Sequence, residues 1–506
     1  MISKLKSSTI YGIESFIVEV EVDLSNGLPC LDIVGLPDTA VRESKERVRA
    51  AIKNQGFEFP IKRITVNLAP ADIKKEGPQF DLPIAIGILA ANKRVKEDSI
   101  SSYLVVGELS LDGFVRPVNG ILPMAIKAKE ERLKGIILPF ENKREAEVIK
   151  GIEIIPVNTL KDAIEFLNGE LKIENKIEEI SDNIPFYDVD FSEVKGQEGV
   201  KRAIEIAAAG HHNLLMIGPP GTGKTMIARR VPTVLPELTQ EESLELTKIY
   251  SISGILPKNS SLIRKRPFRA PHHSITPVGM IGGGRVPKPG EVTLCHYGVL
   301  FLDEIPEFDR EVLELLRQPM EDGCVSIVRN NAKIIFPSKF MLIAAMNPCP
   351  CGYYLDPFHE CSCNPGKIQK YLGKIKGPLL DRIDLQIEVA SVKFSDFEDT
   401  KSTDSLTIRK KVENARYIQI ERYKNYGILY NSELSGALIN KFCSIGKTEK
   451  LLLKEAFEKL KLSARALNRI LKVSRTIADL EGEERISEKH IAEALQYRNL
   501  EKYYGL

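Results

Sequence analysis

Gly218-Pro-Pro-Gly-Thr-Gly-Lys224-Thr225 is the run whose chemistry is easiest to state. It fits the spacing G-x-x-x-x-G-K-[ST], in which glycines let successive backbone N–H groups turn inward around phosphate oxygens. Gly218, Pro219, Pro220, Gly221, Thr222 and Gly223 form the cradle, Lys224 is placed to neutralise β- and γ-phosphates, and the Thr225 hydroxyl is placed to hold Mg²⁺. The flanks match what the motif needs. Asn213-Leu-Leu-Met-Ile217 reads as a short buried strand, and Met226-Ile-Ala-Arg229 begins a helix whose positive end faces the phosphates.

Two further strand ends and two arginines add groups that phosphoryl chemistry uses. Gly298-Val-Leu-Phe-Leu302 runs into Asp303-Glu304, a poor end for a strand unless the carboxylates face a cation. Asp303 suits the Mg²⁺ shell, and Glu304 is placed to polarise the attacking water. Phe340 to Met346 ends at Asn347, whose amide either orients that water or simply makes a turn before Pro348. Gly377-Pro-Leu-Leu-Asp-Arg-Ile-Asp384 places Arg382 at a helix end before another strand. It reads either as a local ion pair with Asp381 or Asp384, or as an arginine that reaches a neighbouring subunit's γ-phosphate. Arg465, in Ser463-Ala-Arg-Ala-Leu467, reads as a contact to the same phosphate from within the subunit, or as a surface helix residue.

Cys349-Pro-Cys351 and Cys361-Ser-Cys363 give four thiols within fifteen residues. The count fits a Zn²⁺ held by four thiolates, although C-x-C is a tighter bite than the usual spacing, and four reduced cysteines in a surface loop are the alternative. Such a zinc would have no open position and would be structural. Cys30, Cys295, Cys324 and Cys443 are isolated and read as packed residues. Two insertions carry basic residues: Gly279 to Gly298, with Gly282 to Gly284, Arg285 and Lys288, and Val325 to Ile335, two strands around Asn330-Asn331 with Arg329 and Lys333. They read as hairpins whose basic tips suit a phosphate backbone, or as ordinary surface hairpins.

The elements that must hold these groups form an α/β chain of 506 residues, about three domains' worth at ~150 residues each. Residues 1–171 alternate short apolar strands with amphipathic helices, 172–194 are acidic and polar and read as a linker, and 195–393 return to strand–loop–helix alternation. Residues 394–407 read as a second linker, and 408–506 as a helical domain, with Asn431 to Phe442 as one of its helices. Lys+Arg 71 against Asp+Glu 69 excludes a nucleic-acid binder that works by bulk basicity and leaves room for a local basic strip. The helical domain, with 20 Lys+Arg against 13 Asp+Glu, mildly favours such a strip. The start lacks the apolar core of a secretory signal, no apolar run approaches a membrane span, and eight cysteines then point to a reducing compartment. A cytoplasmic protein is expected.

Together these motifs resemble an AAA+ ATPase, and Arg266-Pro-Phe-Arg-Ala-Pro-His-His-Ser274 narrows the likeness to the magnesium-chelatase-like branch. The order phosphate loop, RAPHHS, LDE, MNP, GPLLDRID and SARALNRILKVSRTIADLEG resembles the ComM/YifB family along almost the whole chain. The resemblance implies Walker A at Lys224 and Thr225, Walker B at Asp303 and Glu304, sensor 1 at Asn347, an arginine finger at Arg382 and sensor 2 at Arg465. It also implies ATP and Mg²⁺, a ring, expected to be a hexamer, with ATP at subunit interfaces, and DNA helicase activity that drives branch migration during natural transformation. Glu76-Gly-Pro-Gln-Phe-Asp-Leu82 and Gly107 to Val115 resemble the Lon proteolytic domain, a ribosomal S5 domain 2-like fold. Gln79 stands at the nucleophilic Ser position and Pro123 at the Lys position, so covalent catalysis has no player; Lys74 and Lys75 read as solvated loop charges. The fold expected is therefore a Lon-like α/β domain, an AAA+ P-loop α/β core and a C-terminal helical lid. A magnesium-chelatase ATPase subunit and a protein-remodelling AAA+ chaperone are the rival functions.

Overall fold

The structure, a computed structural model, describes residues 2–173, 187–257, 261–284, 287–329, 332–375, 379–391, 402–460 and 462–498. The chain divides into two units: Met1–Asp182 with Gln240–Ile263, and Asn183–Thr239 with Arg264–Leu506. Within residues 195–393, expected as the ATPase core with hairpin insertions, Gln240–Ser253 is a helix of the first unit. It is tied there by the Ser251 hydroxyl, which donates to the buried Glu145 carboxylate, and by the Gly120 N–H, which donates to the Ser251 carbonyl at 3.2 Å.

The first unit is a seven-stranded sheet in the order Cys30–Val34, Arg63–Ala69, Glu14–Ser25, Ile2–Tyr11, Tyr103–Val105, Gly135–Pro139 and Glu153–Val157. Period-two patterning sets its buried face: Val18, Val20 and Val22 are wholly buried along one strand. The apolar helix Asp81–Ala91 has every residue buried, as expected of an element covered on all sides. Gln79 is buried and its amide donates to the Glu76 carbonyl at 2.6 Å, while Pro123 lies buried in the helix Ile121–Glu130. Lys75 is not a solvated charge. Its backbone is pinned to Leu36 and Asp38, its side chain is fully buried, and its ammonium donates to the Pro70 carbonyl, with burial pushing its pKa below the ordinary lysine value. Lys74 remains exposed beside Glu76. Cys30 is likewise exposed on the edge strand rather than packed.

The second unit holds a five-stranded sheet in the order Phe268–Arg269, Val299–Leu302, Met341–Met346, Leu214–Ile217 and Leu385–Glu388, with all neighbours parallel. The central strands are buried at every residue, which is why their sequences are continuous apolar runs rather than alternating ones. The polar stretches at the edges of this unit are partly structured. Phe191 is fully buried in a short 3₁₀ turn, and Asp190 accepts from the Ser405 N–H, where the helix Ser405–Tyr423 begins. The helical region continues through Lys447–Leu460, Ala464–Leu480 and Glu488–Gln496. Asn431 to Phe442 is not one helix: a 3₁₀ turn, Asn431–Glu433, is separated from Ala437–Phe442 by Gly436 at φ +49°. Ser487 caps the last helix, and His490 Nδ1 accepts from the Ser487 N–H at 3.0 Å, filling the place of the glutamate in a capping box.

Candidate active site

Parallel strands put all their carboxyl ends on one edge of a sheet, and the loops that follow meet there. Gly218 follows Ile217, Asp303 follows Leu302 and Asn347 follows Met346, so the phosphate loop, the acidic pair and the amide are brought together. The Thr225 hydroxyl donates to Asp303 Oδ2 at 2.6 Å. A hydroxyl and a carboxylate in contact form a hard-oxygen donor set, which fits Mg²⁺ and its preference for oxygen ligands. Lys224 Nζ donates to the Gly218 and Pro219 carbonyls at 2.7 Å each and to Asn347 Oδ1 at 3.2 Å. Gly221 and Gly223 stand at φ +80° and +84°, backbone conformations that a side chain would strain. Glu304 is left-handed too, at φ +49° without being glycine, and its N–H donates to Asp303 Oδ1 at 3.0 Å. Such a conformation in a non-glycine residue is a cost retained where it aims a group.

Burial lowers the Lys224 pKa to about 8, against partial support from Asp303 and Glu304. The charged form is the one that attracts phosphates, so a nucleotide bound at Lys224 would take up a proton above that pH. KM for ATP is therefore expected to rise above pH ~8, toward about tenfold per pH unit, with kcat little changed. A pH series of initial rates, read as separate KM and kcat profiles, checks this.

Arg382 lies elsewhere. It ends the turn Leu380–Arg382 just before the strand Leu385–Glu388, whose Leu385 pairs with Leu214. Its carbonyl accepts from the Asn213 amide at 3.0 Å, at the start of Leu214–Ile217. Arg382 therefore sits at the amino edge of the sheet and its own phosphate loop at the carboxyl edge, a strand of about 13 Å apart. Its partner is neither Asp381 nor Asp384, as the local reading had it, but Glu321, with which its guanidinium forms an ion pair. Asp384 is taken by Arg469 at 2.8 Å; although burial opposes ionisation, Arg469 and His212 hold that carboxyl well below the usual range. Arg465 Nη1 stands 3.9 Å from Asp381 Oδ2, next to Arg382. Arg465 opens the helix Ala464–Leu480, whose Arg469 reaches Asp384 at the amino-edge side of the sheet.

The four cysteines converge. The sulfurs of Cys349, Cys351 and Cys361 are 3.3, 3.7 and 3.6 Å apart, and that of Cys363 joins them within 4.8 Å. Thiolates around a tetrahedral Zn²⁺ at about 2.3 Å would be about 3.8 Å apart, so the donor set fits that ion. The loop also touches the phosphate loop. A Cβ on Gly352, at φ +92°, would lie 2.6 Å from Pro220 Cδ, an approach whose only sign in the residues is a glycine after Cys351.

Of the basic hairpin residues, Arg285 lies outside the described residues, as do Asn330 and Asn331. Lys288 pairs with Gly283 in a two-residue ladder, and Lys333 is exposed on the hairpin Cys324–Arg329 with Ala332–Pro337, where Arg329 is a strand residue opposite Ala332. His272 and His273 follow the edge strand Phe268–Arg269 with rings 4.0 Å apart, and His273 packs against Phe308. Glu321 was not singled out by any sequence signal.

Comparison with known proteins closes the case for family. The chain is 45% identical over 493 residues to the competence protein ComM of Haemophilus influenzae, covering 96% of this chain and 95% of that one. The chain belongs to the ComM/YifB family. YifB of Escherichia coli K12 is 42% identical over 495 residues, covering 97% of this chain and 96% of its own length. Family models described as magnesium chelatase, subunit ChlI, match residues 190–397, its C-terminal part matches 402–498, and subunit ChlI of Mg-chelatase matches 20–142. Lon protease 2 of Bacillus subtilis is 32% identical over 123 residues, 24% of this chain and 22% of that one. As a ComM/YifB member, the chain is a magnesium-chelatase-like AAA+ protein, a class that hydrolyses ATP with Mg²⁺ and assembles into oligomers. No helix among the described residues is long and apolar enough to cross a membrane.

Proposed function

We propose that this chain is a subunit of a cytoplasmic hexameric ring that hydrolyses ATP at its subunit interfaces to move DNA, promoting branch migration during natural transformation or recombination. The observation that carries the reading is the separation of Arg382 from its own phosphate loop. An arginine at the amino edge of the sheet is useful to a γ-phosphate only if a second copy supplies that phosphate, which makes a head-to-tail ring the working unit. Gly218 to Lys224 cradle the phosphates, Thr225 and Asp303 hold Mg²⁺, which neutralises charge on them, Glu304 takes the proton of the attacking water, and Asn347 orients that water. Arg382 of the neighbour, with Arg465 beside it, meets the charge that develops on the γ-phosphate. Arg285, Lys288, Arg329 and Lys333 are the residues proposed to meet the DNA backbone. The name of the Haemophilus relative, competence protein ComM, supports a role in DNA uptake.

ATPase rates with and without single-stranded or branched DNA test this. Strong DNA stimulation is the expected result. The chelatase family models favour a second reading, an ATPase that remodels a protein partner; stimulation by a protein alone would move the assignment there.

The four cysteines are proposed to hold one structural Zn²⁺, fastening the segment after Asn347. One zinc per chain is expected by elemental analysis. Its removal by a strong chelator, or the double change Cys349→Ser with Cys361→Ser, should lower Tm by several degrees. A zinc-free protein with unchanged Tm would contradict the assignment.

A further inference from the structure

Three guanidinium groups share the corner at which Arg382 ends its turn. Arg465 stands over Asp381, and Arg317 opens the helix Arg317–Asp322 with its buried Nε lacking a hydrogen-bond partner among the described residues. Burial pushes the Arg382 pKa below the ordinary guanidinium value, Glu321 opposes that, and Arg317 and Arg465 reinforce it. Among the described residues, Arg382 is paired with Glu321 and Arg465 with Asp381.

Glu321 lies one helical turn beyond Arg317 and is the half-exposed member of its pair: the side chain of Glu321 is 55% exposed, and that of Arg382 10%. Its place in the chain gives the pair a second meaning. Two residues on, Gly323 ends the helix in the left-handed conformation at φ +64°, and Cys324 begins the basic hairpin. Both legs of the hairpin are fastened to that glycine, one through the chain and the other through the Ser338 N–H, which donates to the Gly323 carbonyl at 2.8 Å. The counterion of Arg382 is therefore planted at the hairpin's root.

We propose that Glu321 is a positioning residue that couples the state of the neighbour's nucleotide to the hairpin Cys324–Pro337, by exchange of Arg382 between the Glu321 carboxylate and the neighbour's γ-phosphate. The inference rests on the reading that Arg382 serves a neighbouring subunit. A half-exposed carboxylate is a weak competitor, and a phosphate of higher charge with paired oxygens holds a guanidinium better. When Arg382 turns to the phosphate, Glu321 is released, and the short helix and the hairpin it carries are free to shift. When the phosphate leaves, the pair re-forms and pulls the root back. The two arrangements supply the two-state element that coupling requires.

Glu321→Gln in the full-length protein tests this, with ATPase measured across ATP concentration, with and without single-stranded DNA. Removing the competitor should lower KM for ATP by about fivefold, the worth of a surface ion pair. It should also raise the DNA-free rate toward the DNA-stimulated rate of the wild type, with less than about twofold further stimulation by DNA. Glu321→Asp, which keeps the charge, should restore much of the wild-type pattern, and Tm of both variants reports whether they fold. An unchanged KM, or a Glu321→Gln protein stimulated by DNA as fully as the wild type, overturns the inference. If the wild type is itself unmoved by DNA, the proposed function fails, and the KM comparison alone still decides whether Glu321 competes for Arg382.

Discussion

Glu304→Gln is expected to leave ATP binding close to that of the wild type and to lower kcat by about 10²–10⁴-fold, the range for loss of a general base. The change keeps the size of the side chain but removes the carboxylate proposed to accept the proton of the attacking water. The phosphate cradle is untouched, because Lys224 is held by Gly218, Pro219 and Asn347, and Thr225 by Asp303. Equilibrium binding of a labelled nucleotide, set beside steady-state hydrolysis, separates the two effects. A variant that hydrolyses ATP at more than a tenth of the wild-type rate would remove Glu304 from this role. Lys224→Ala should differ in kind, losing affinity and turnover together, since its charge is used in both the ground and transition states.

Arg382→Ala is expected to cost about 10³-fold in kcat or more, the scale at which a trans-acting arginine stabilises phosphoryl transfer. Arg382→Lys should recover little, because a point charge on a flexible stem does not replace a planar fork. The side chain is nearly buried and its carbonyl ties down Asn213, yet the substitution leaves that backbone contact in place. Losing Arg382 also leaves Glu321, which is half exposed and needs no buried partner. The loss should appear in turnover, and Tm measured beside it distinguishes a missing catalytic cation from a damaged fold.

Some of this was legible in the residues and some was not, for reasons that differ by element. The central strands of the second unit announce themselves because a strand buried on both faces must be apolar throughout, and Asp303-Glu304 make a poor end for one unless they face a cation. The phosphate loop is similarly plain, since positive φ at Gly221 and Gly223 is a local demand that glycine meets. The assignment of Gln240–Ser253 to the first unit was invisible, because a helix pattern says that a face is buried and not against what. Lys75 was misread for the same reason: its burial follows from the bridge between Pro37 and Lys75, a contact 38 residues apart in sequence. Glu321 as the partner of Arg382 could not be found from spacing, since Asp381 and Asp384 are nearer in the chain and the fold gives them to Arg465 and Arg469.

The most direct test of a site shared between two copies is a mixing experiment with Lys224→Ala and Arg382→Ala proteins. Each alone should be almost inactive, one lacking the phosphate loop's cation and the other lacking the arginine that its neighbour needs. Combined in equal amounts under conditions where subunits exchange, they should regain ATPase activity, to about a quarter of the wild-type rate if pairing is random and interfaces act independently. An intact phosphate loop then faces an intact Arg382 wherever an Arg382→Ala subunit receives its arginine from a Lys224→Ala neighbour. Mixed rings that form, as seen by co-purification of differently tagged variants, yet hydrolyse no more ATP than either protein alone would contradict the account.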